Sequence, residues 1–321
     1  MKKIFLLVSI AIMLVLSCGN EGKNSSEAGG GKSKASFKIG ITQIVAHPAL
    51  DSAREGFKDA FKEAGLKVVF DEKNANGEIA TANMIANNFV TEKVDMVYAI
   101  ATSTAQAAAQ STDKIPVVFS AITDPEAAGI LKKNVTGISD RVNVKQQLEL
   151  LLKLDSKIKK VGVIYNSSEQ NSKVQVDDLK KAASELGITI VEKSVTQVSE
   201  IPQASETLVK ESDALYLPTD NLVASVVNLI TEKAIKAKKI AFGAESAHVK
   251  GGALITQGID YYEMGKEAGK IAVDILKNGK NPSEITFKKM DLNDIVINNK
   301  TLAAIGISLP EDIKSKAKTI D

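Results

Sequence analysis

The residues of this chain that could do chemistry sit in short polar runs, each following an apolar segment of strand length. These runs hold Thr42 and Gln43; Thr102, Ser103 and Thr104; Thr123 and Asp124; and Asn166, Ser167, Ser168 and Glu169. Further along come Thr219, Asp220 and Asn221, then Glu245, then Asp260. A hydroxyl or amide at a strand-to-helix junction has two uses. It can cap the helix, or it can join the free backbone N–H groups there in holding an anion. Both uses remain open at each Ser and Thr. The acids narrow the choice of ligand. The chain has only two arginines, Arg54 and Arg141, so an arginine clamp on an anion is poorly provided for, whereas Asp124, Asp220, Glu245 and Asp260 offer counter-charges for an ammonium. The pattern favours a zwitterion. Its carboxylate would sit at Thr102–Thr104, or next at Ser167 and Ser168, and its amine on Asp124 or Asp220.

Catalytic signatures are missing. The sequence has no GxGxxG fingerprint, no GxSxG elbow, and no complete phosphate-binding loop, since Ser26 stands where the glycine before Gly31-Lys32-Ser33 would be required. One cysteine and two histidines make a Cys/His zinc set very hard to assemble. His47, just before Pro48, could touch ligand or orient its loop. His248, in AHVKGG, reads as a surface residue. No catalytic residue, metal or cofactor is expected, and an α/β enzyme is the rival class to a binding protein.

The chain has 321 residues, with 41 Lys+Arg against 39 Asp+Glu. So small a basic excess argues against a nucleic-acid partner. Residues 1–17 stand apart: Lys2 and Lys3 precede an uncharged run, Ile4 to Leu16, too short to span a bilayer but suited to an export signal. Val15-Leu16-Ser17-Cys18 resembles the lipobox of bacterial lipoproteins, which implies cleavage before Cys18 and lipidation of its thiol. Loss of the leader removes two lysines and leaves 39 charges of each sign. Residues 18–36, rich in Gly, Ser, Lys and Asn, read as a lipidated flexible tether whose r.m.s. reach is about 25 Å.

From Phe37 onward, strand-length apolar runs (FKIGIT, LKVVF, VDMVYAI, IPVVF, NVTGIS) alternate with helical stretches, which predicts parallel sheets covered by helices. The plan then repeats. Gly40 and Gly162 are 122 residues apart, as are Gly65 and Gly187; Asp95 and Asp213 are 118 apart, and Phe119 and Phe242 are 123 apart. Repetition in order and spacing predicts an α/β protein of two doubly wound parallel-sheet lobes joined by a multi-strand hinge. Crossings are expected near Asp140, Gly258 and Asn281. The N-terminal lobe is then 37–139 plus 259–280, and the C-terminal lobe 140–258 plus 281–321. Tyr261–Lys280 reads as a helix stopped at Asn278-Gly279, and EDIKSKAKTI near the C-terminus reads as another. Ligands of such sheets bind beyond the carboxyl ends of the strands, where all the polar runs fall.

At those strand ends, ITQIVAHPALDSAREGFKDAF, AIATSTAQAAA, TDPEAAG, VGVIYNSSEQNS, PTDNLVAS and GIDYYEMG resemble the TrpX-type family of ABC-transporter substrate-binding lipoproteins. The resemblance runs from Phe37 to the C-terminus. It implies a type I periplasmic-binding-protein fold, a monomer anchored by lipid on the extracytoplasmic side, and delivery of an aromatic amino acid such as tryptophan or phenylalanine to an ABC permease. Ser103 stands where relatives are expected to carry Pro or another small residue, a departure that bears on the ligand. A nucleoside or other small solute is the alternative cargo.

Overall fold

The computed structural model describes residues 36–290 and 294–321; the leader, Cys18 and the tether up to residue 35 lie outside the described residues. In chain order the strands are β1 (Phe37–Gln43), β2 (Val68–Asn74), β3 (Met96–Ile100), β4 (Val117–Ile122), β5 (Val135–Ser139), β6 (Lys160–Asn166) and β7 (Thr189–Val195). They continue as β8 (Ala214–Leu217), β9 (Ala241–Gly243), β10 (Ile255–Gly258), β11 (Lys288–Lys289), β12 (Asp294–Asn298) and β13 (Lys318–Ile320). The helices of the first half are α1 (Pro48–Glu63), α2 (Ile79–Thr91), α3 (Thr102–Ser111), α4 (Val144–Leu154), α5 (Gln170–Glu185) and α6 (Ile201–Glu211). Those of the second are α7 (Asn221–Ser225), α8 (Val227–Lys236), α9 (Ser246–Lys250), α10 (Tyr261–Asn278), α11 (Asn299–Ile305) and α12 (Glu311–Lys314).

The strands form two sheets, β2-β1-β3-β4-β5-β11 and β7-β6-β8-β9-β10-β12-β13. The first five strands of each follow one order, so the sequence repeat is a repeat of topology. All pairings are parallel except β10 with β12. Burial on both faces explains the continuous apolar runs: every residue of β3, β4 and β8 is buried. In the first lobe Phe57 of α1 stacks on Tyr98 of β3, with centroids 3.7 Å apart and planes 4° from parallel. Tyr216 on β8 occupies the matching place in the second lobe, stacked 6.0 Å from Phe242.

Three crossings join the lobes. The chain leaves the first sheet after β5, returns after β10 so that α10 lies on α1, and leaves again between β11 and β12. That last crossing corrects the expected one at Asn281. Residues following α10 stay with the first lobe: β11 pairs with β5, Thr136 Oγ1 donates to Ile285 O at 2.7 Å, and Phe287 lies 6.3 Å from Phe119. The apolar residues of EITFKKM cover the exposed edge of β5, which outweighs an immediate crossing. The expected C-terminal helix is also cut short. α12 is one turn, and Lys318–Ile320 instead extends the second sheet beside β12.

The return of α10 is built on close backbone approach. A Cβ on Gly265 would lie 1.9 Å from Ala53 O, and one on Gly56 would lie 2.0 Å from Tyr262 O. Asp260 starts α10 by accepting from Tyr262 N and Glu263 N, and Gly279 ends it at φ 69°. Among the described residues no helix is long and apolar enough to cross a membrane.

Candidate functional site

The carboxyl ends of the two sheets face one another and the lobes touch directly. His47 Nε2 lies 3.3 Å from Asn221 Oδ1, Thr123 Oγ1 lies 3.4 Å from Thr219 Oγ1, and Gln106 Nε2 donates to Gln170 Oε1 at 3.3 Å. Gln170 Nε2 also donates to Ala127 O. Two spaces between the lobes, among the described residues, share Asn221 in their walls.

The outer chamber has a volume of about 470 Å³, within the range of small-molecule sites. Its apolar walls are Ile44, Val45 and Ile79 from the first lobe and Val198 and Leu222 from the second. Ile79 and Val198 are unusually exposed for their type, at 52% and 43%. Ser103, Ser168, Asn166 and Glu169 add polar groups. The N-terminal ends of α2, α3 and α5 border it, and the residues before them (Glu78, Ala101 and Glu169) make no side-chain cap. First-turn N–H groups have no intrahelical partner, so uncapped ends leave donors and partial positive charge for an anion. Ala101 holds φ 83° to make the turn into α3, and Ala121 holds φ 58° at the end of β4. Such backbone costs a non-glycine residue about 1–3 kcal/mol, a strain typical of binding sites.

The inner cavity is much smaller, about 10 Å³, room for one water-sized group. His47, Thr123, Asp140, Asp220, Glu245 and Tyr261 are among its walls. All three carboxylates are buried. Asp220 accepts from Asn166 N (2.5 Å), Ser172 Oγ (2.6 Å) and Val223 N (2.9 Å), and burial, with the charge of Glu169 adding, pushes its pKa up to about 7. Asp140 accepts from Tyr261 OH at 2.8 Å and Thr123 Oγ1 at 3.1 Å, and burial raises it too. Glu245 is pushed up to about 8, chiefly by burial. Its Oε1 has no hydrogen-bond partner, although His248 Nε2 stands 3.3 Å away in unsuitable geometry. Burial holds His47 down at about 4 and His248 at about 3, so neither supplies positive charge at neutral pH.

The structure sorts the polar residues named from the sequence. Thr123, Thr219, Asp220, Asn221 and Glu245 line the inner cavity, and Ser103, Asn166, Ser168, Glu169 and Asn221 the outer chamber. Thr42 and Thr102 are buried nearby with hydroxyls that have no partner. Others are spent on structure. Thr104 Oγ1 donates back to Ile100 O and Ala101 O. Gln43 braces its loop through Val45 O, Asp51 and Arg54. Asp124 caps Ala127 N and pairs with Arg141 at 2.7 Å, and Asp260 caps α10. Ser167 lines neither space, its N–H donating to Val195 O. Glu169 is a hub that takes Asn221 N and Nδ2, Leu222 N, Asn171 Nδ2 and Asn166 Nδ2. Both arginines are committed elsewhere, Arg54 to Asp51, Glu55 and Glu72, and Arg141 to Asp124 and Asp178.

His248 corrects the surface reading: it is fully buried, because the single turn of α9 folds it against Gly243, whose Cβ would sit 2.5 Å from His248 Cβ. Asp140, Asn171 and Tyr261 are inner-cavity residues that sequence reasoning did not assign to the site. Tyr261 alone had a signal, its place just after Asp260 at a strand end.

Two α/β lobes that close face to face over a polar-and-apolar cleft define a type I periplasmic binding protein. The chain belongs to the ABC transporter substrate binding protein family, whose model matches residues 38–320. It is 40% identical over 319 residues to the tyrosine-binding protein of Clostridioides difficile, covering 95% of this chain and 92% of that one. Among solved structures it resembles an ABC domain from Streptococcus pneumonia in complex with L-Trp (34% identity, TM-score 0.85, 89% and 100% coverage). It also resembles the ligand-free, open form of a substrate-binding protein with adhesive properties from Clostridium difficile (42% identity, TM-score 0.69, 89% and 99% coverage). The arrangement here, with hydrogen bonds between the lobes, is nearer the liganded one. The protein is an ABC transporter substrate-binding protein, a class that works outside the cytoplasmic membrane.

Proposed function

We propose that this protein binds an aromatic L-amino acid between its lobes and presents it to an ABC permease. One observation carries the reading: an apolar-walled chamber bordered by three uncapped helix N-termini adjoins a cavity lined by carboxylates, and among the described residues no arginine or lysine lines either. The ring would lie among Ile44, Val45, Ile79, Val198 and Leu222. The carboxylate would take N–H groups at Ser103 and its neighbours, and the ammonium would face the acids. A tyrosine-binding relative and an L-Trp complex support this cargo class. The leader at 1–17, lipidation at Cys18 and the tether to residue 36 would hold a monomer at the outer face of a membrane, and two or more acyl chains suffice for stable anchoring.

Thermal-shift and calorimetric screening of amino acids, nucleosides and small sugars tests the cargo. Ligand at a hundred times Kd stabilises by about 2.7 kcal/mol. Shifts confined to Tyr, Trp and Phe support the reading. A shift given by a nucleoside or sugar alone refutes it, and turnover of any compound would favour an enzyme instead.

A further inference from the structure

We propose that the inner cavity is a primary-ammonium subsite anchored on Glu245, and that the protein therefore also takes aromatic monoamines that lack a carboxylate. This rests on the cleft being the ligand site, as proposed above.

The argument is one of charge and size. Asp140, Asp220 and Glu245 are 3%, 0% and 2% exposed around a space of about 10 Å³. Buried carboxylates need a compensating charge or must take up protons. Among the described residues no lysine or arginine lines the space, and its histidine, His47, is kept neutral by burial. The three acids are not equivalent. Asp220 is occupied by donors from Asn166, Ser172 and Val223, and Asp140 by Tyr261 and Thr123. Of the three, Glu245 alone keeps a buried oxygen without a hydrogen bond, Oε1, with neutral His248 3.3 Å from it and Tyr261 beside the same carboxylate. His47 Nδ1, 5% exposed and on the same cavity, is also unpartnered. A cationic donor the size of water satisfies both kinds of group, giving one N–H to Glu245 and another to neutral His47. An ammonium carried on a ligand has that size and charge.

The rest of the cleft does not demand an anion. Among the described residues no fixed cation lines the cleft for a carboxylate, whose partners are helix N–H groups worth up to about 2 kcal/mol where partly buried. The acid subsite sets full charges opposite an ammonium, whereas the carboxylate meets only the partial charges of helix ends. Tyramine and tryptamine keep the ring and the ammonium and lose only the weaker contact. A tertiary amine carries the same charge but is too bulky for a water-sized cavity.

Calorimetry on the full mature protein at pH 7 decides it, comparing L-tyrosine and L-tryptophan with tyramine, tryptamine, their desamino acids and N,N-dimethyltyramine. The amines should bind within about tenfold of the matching amino acids. The desamino acids and the dimethyl amine should be at least a hundredfold weaker. Glu245→Gln, checked for folding by circular dichroism, should weaken amines and amino acids alike by tenfold or more. Amino acids binding while both amines fail, or desamino acids binding as well as their parents, overturns the inference and leaves the amino-acid function standing. Amines binding while amino acids fail upholds the inference and removes the function proposed above. Failure of both classes sinks both, as does unchanged affinity in Glu245→Gln for the anchor.

Discussion

Arg141 links the lobes without lining either space, so its replacement tests closure separately from contact. Its Nη1 reaches Asp124, on the loop after β4 of the first lobe, and its Nε and Nη2 reach Asp178, on α5 of the second, at 2.7–3.2 Å. The side chains are 19–34% exposed, so solvent screens them. Each arm is then worth about 0.5–1 kcal/mol, with the forked Asp178 arm at the upper end. Arg141→Gln should cost the closed form about 1–2 kcal/mol relative to the open one. A ligand that binds only when the lobes close inherits that cost, so apparent Kd should rise roughly 5–30-fold. If the free protein is already mostly closed, the cost appears instead as opening, a larger radius of gyration in solution scattering before ligand is added. Asp178→Asn, which removes one arm, should show a smaller effect in the same direction, and both effects should shrink in high salt. Wild-type affinity together with unchanged scattering in Arg141→Gln would refute the reasoning, because the triad would then contribute nothing to lobe closure.

Stability of the ligand-free protein should fall between pH 6.5 and 8. Asp220 and Glu245, raised to about 7 and 8, hold protons in the fold that the unfolded chain has released, so their stabilising contribution is complete at low pH and is lost as pH rises through those values. His47 and His248, depressed to about 4 and 3, act oppositely but only below about 6.5. Glu245 alone should remove about 2 kcal/mol by pH 8, and urea melts showing a flat or rising profile over that window would contradict the buried-acid picture. Gly265→Val should destabilise by more than about 3 kcal/mol by thermal melting, because the backbone of α1 occupies the space a side chain needs. Glu169→Gln should cost about 2–3 kcal/mol, since an amide nitrogen would face the donors that the carboxylate gathers. Val198→Asp, at an exposed position, should leave the free protein's melting temperature within a few degrees while weakening an aromatic ligand at least tenfold by calorimetry.

The fold was legible because buried parallel strands leave little freedom in composition. FKIGIT, VDMVYAI, IPVVF and their echoes are apolar on both faces, and Gly40 and Gly162 mark equivalent strands. The division of labour among the polar residues was not legible, for a physical reason. A carboxylate just past a strand end looks the same in sequence whether it caps a helix, pairs with an arginine, or is left facing a cavity. Asp260, Asp124 and Glu245 are those three cases, and only contacts made in the fold separate them: Tyr262 N and Glu263 N for the first, Arg141 for the second, and an Oε1 left without a hydrogen bond for the third. Scarcity of arginine was the one compositional clue that survived. With Arg54 and Arg141 both committed to acids outside the cleft, the site holds an excess of carboxylate that the chain itself does not balance. Burying such acids raises the free energy of the empty closed form, and a ligand that brings the missing positive charge removes that cost on binding. On this view the acids favour closure over a cationic group and disfavour closure over nothing, which is the discrimination a permease needs from its binding protein.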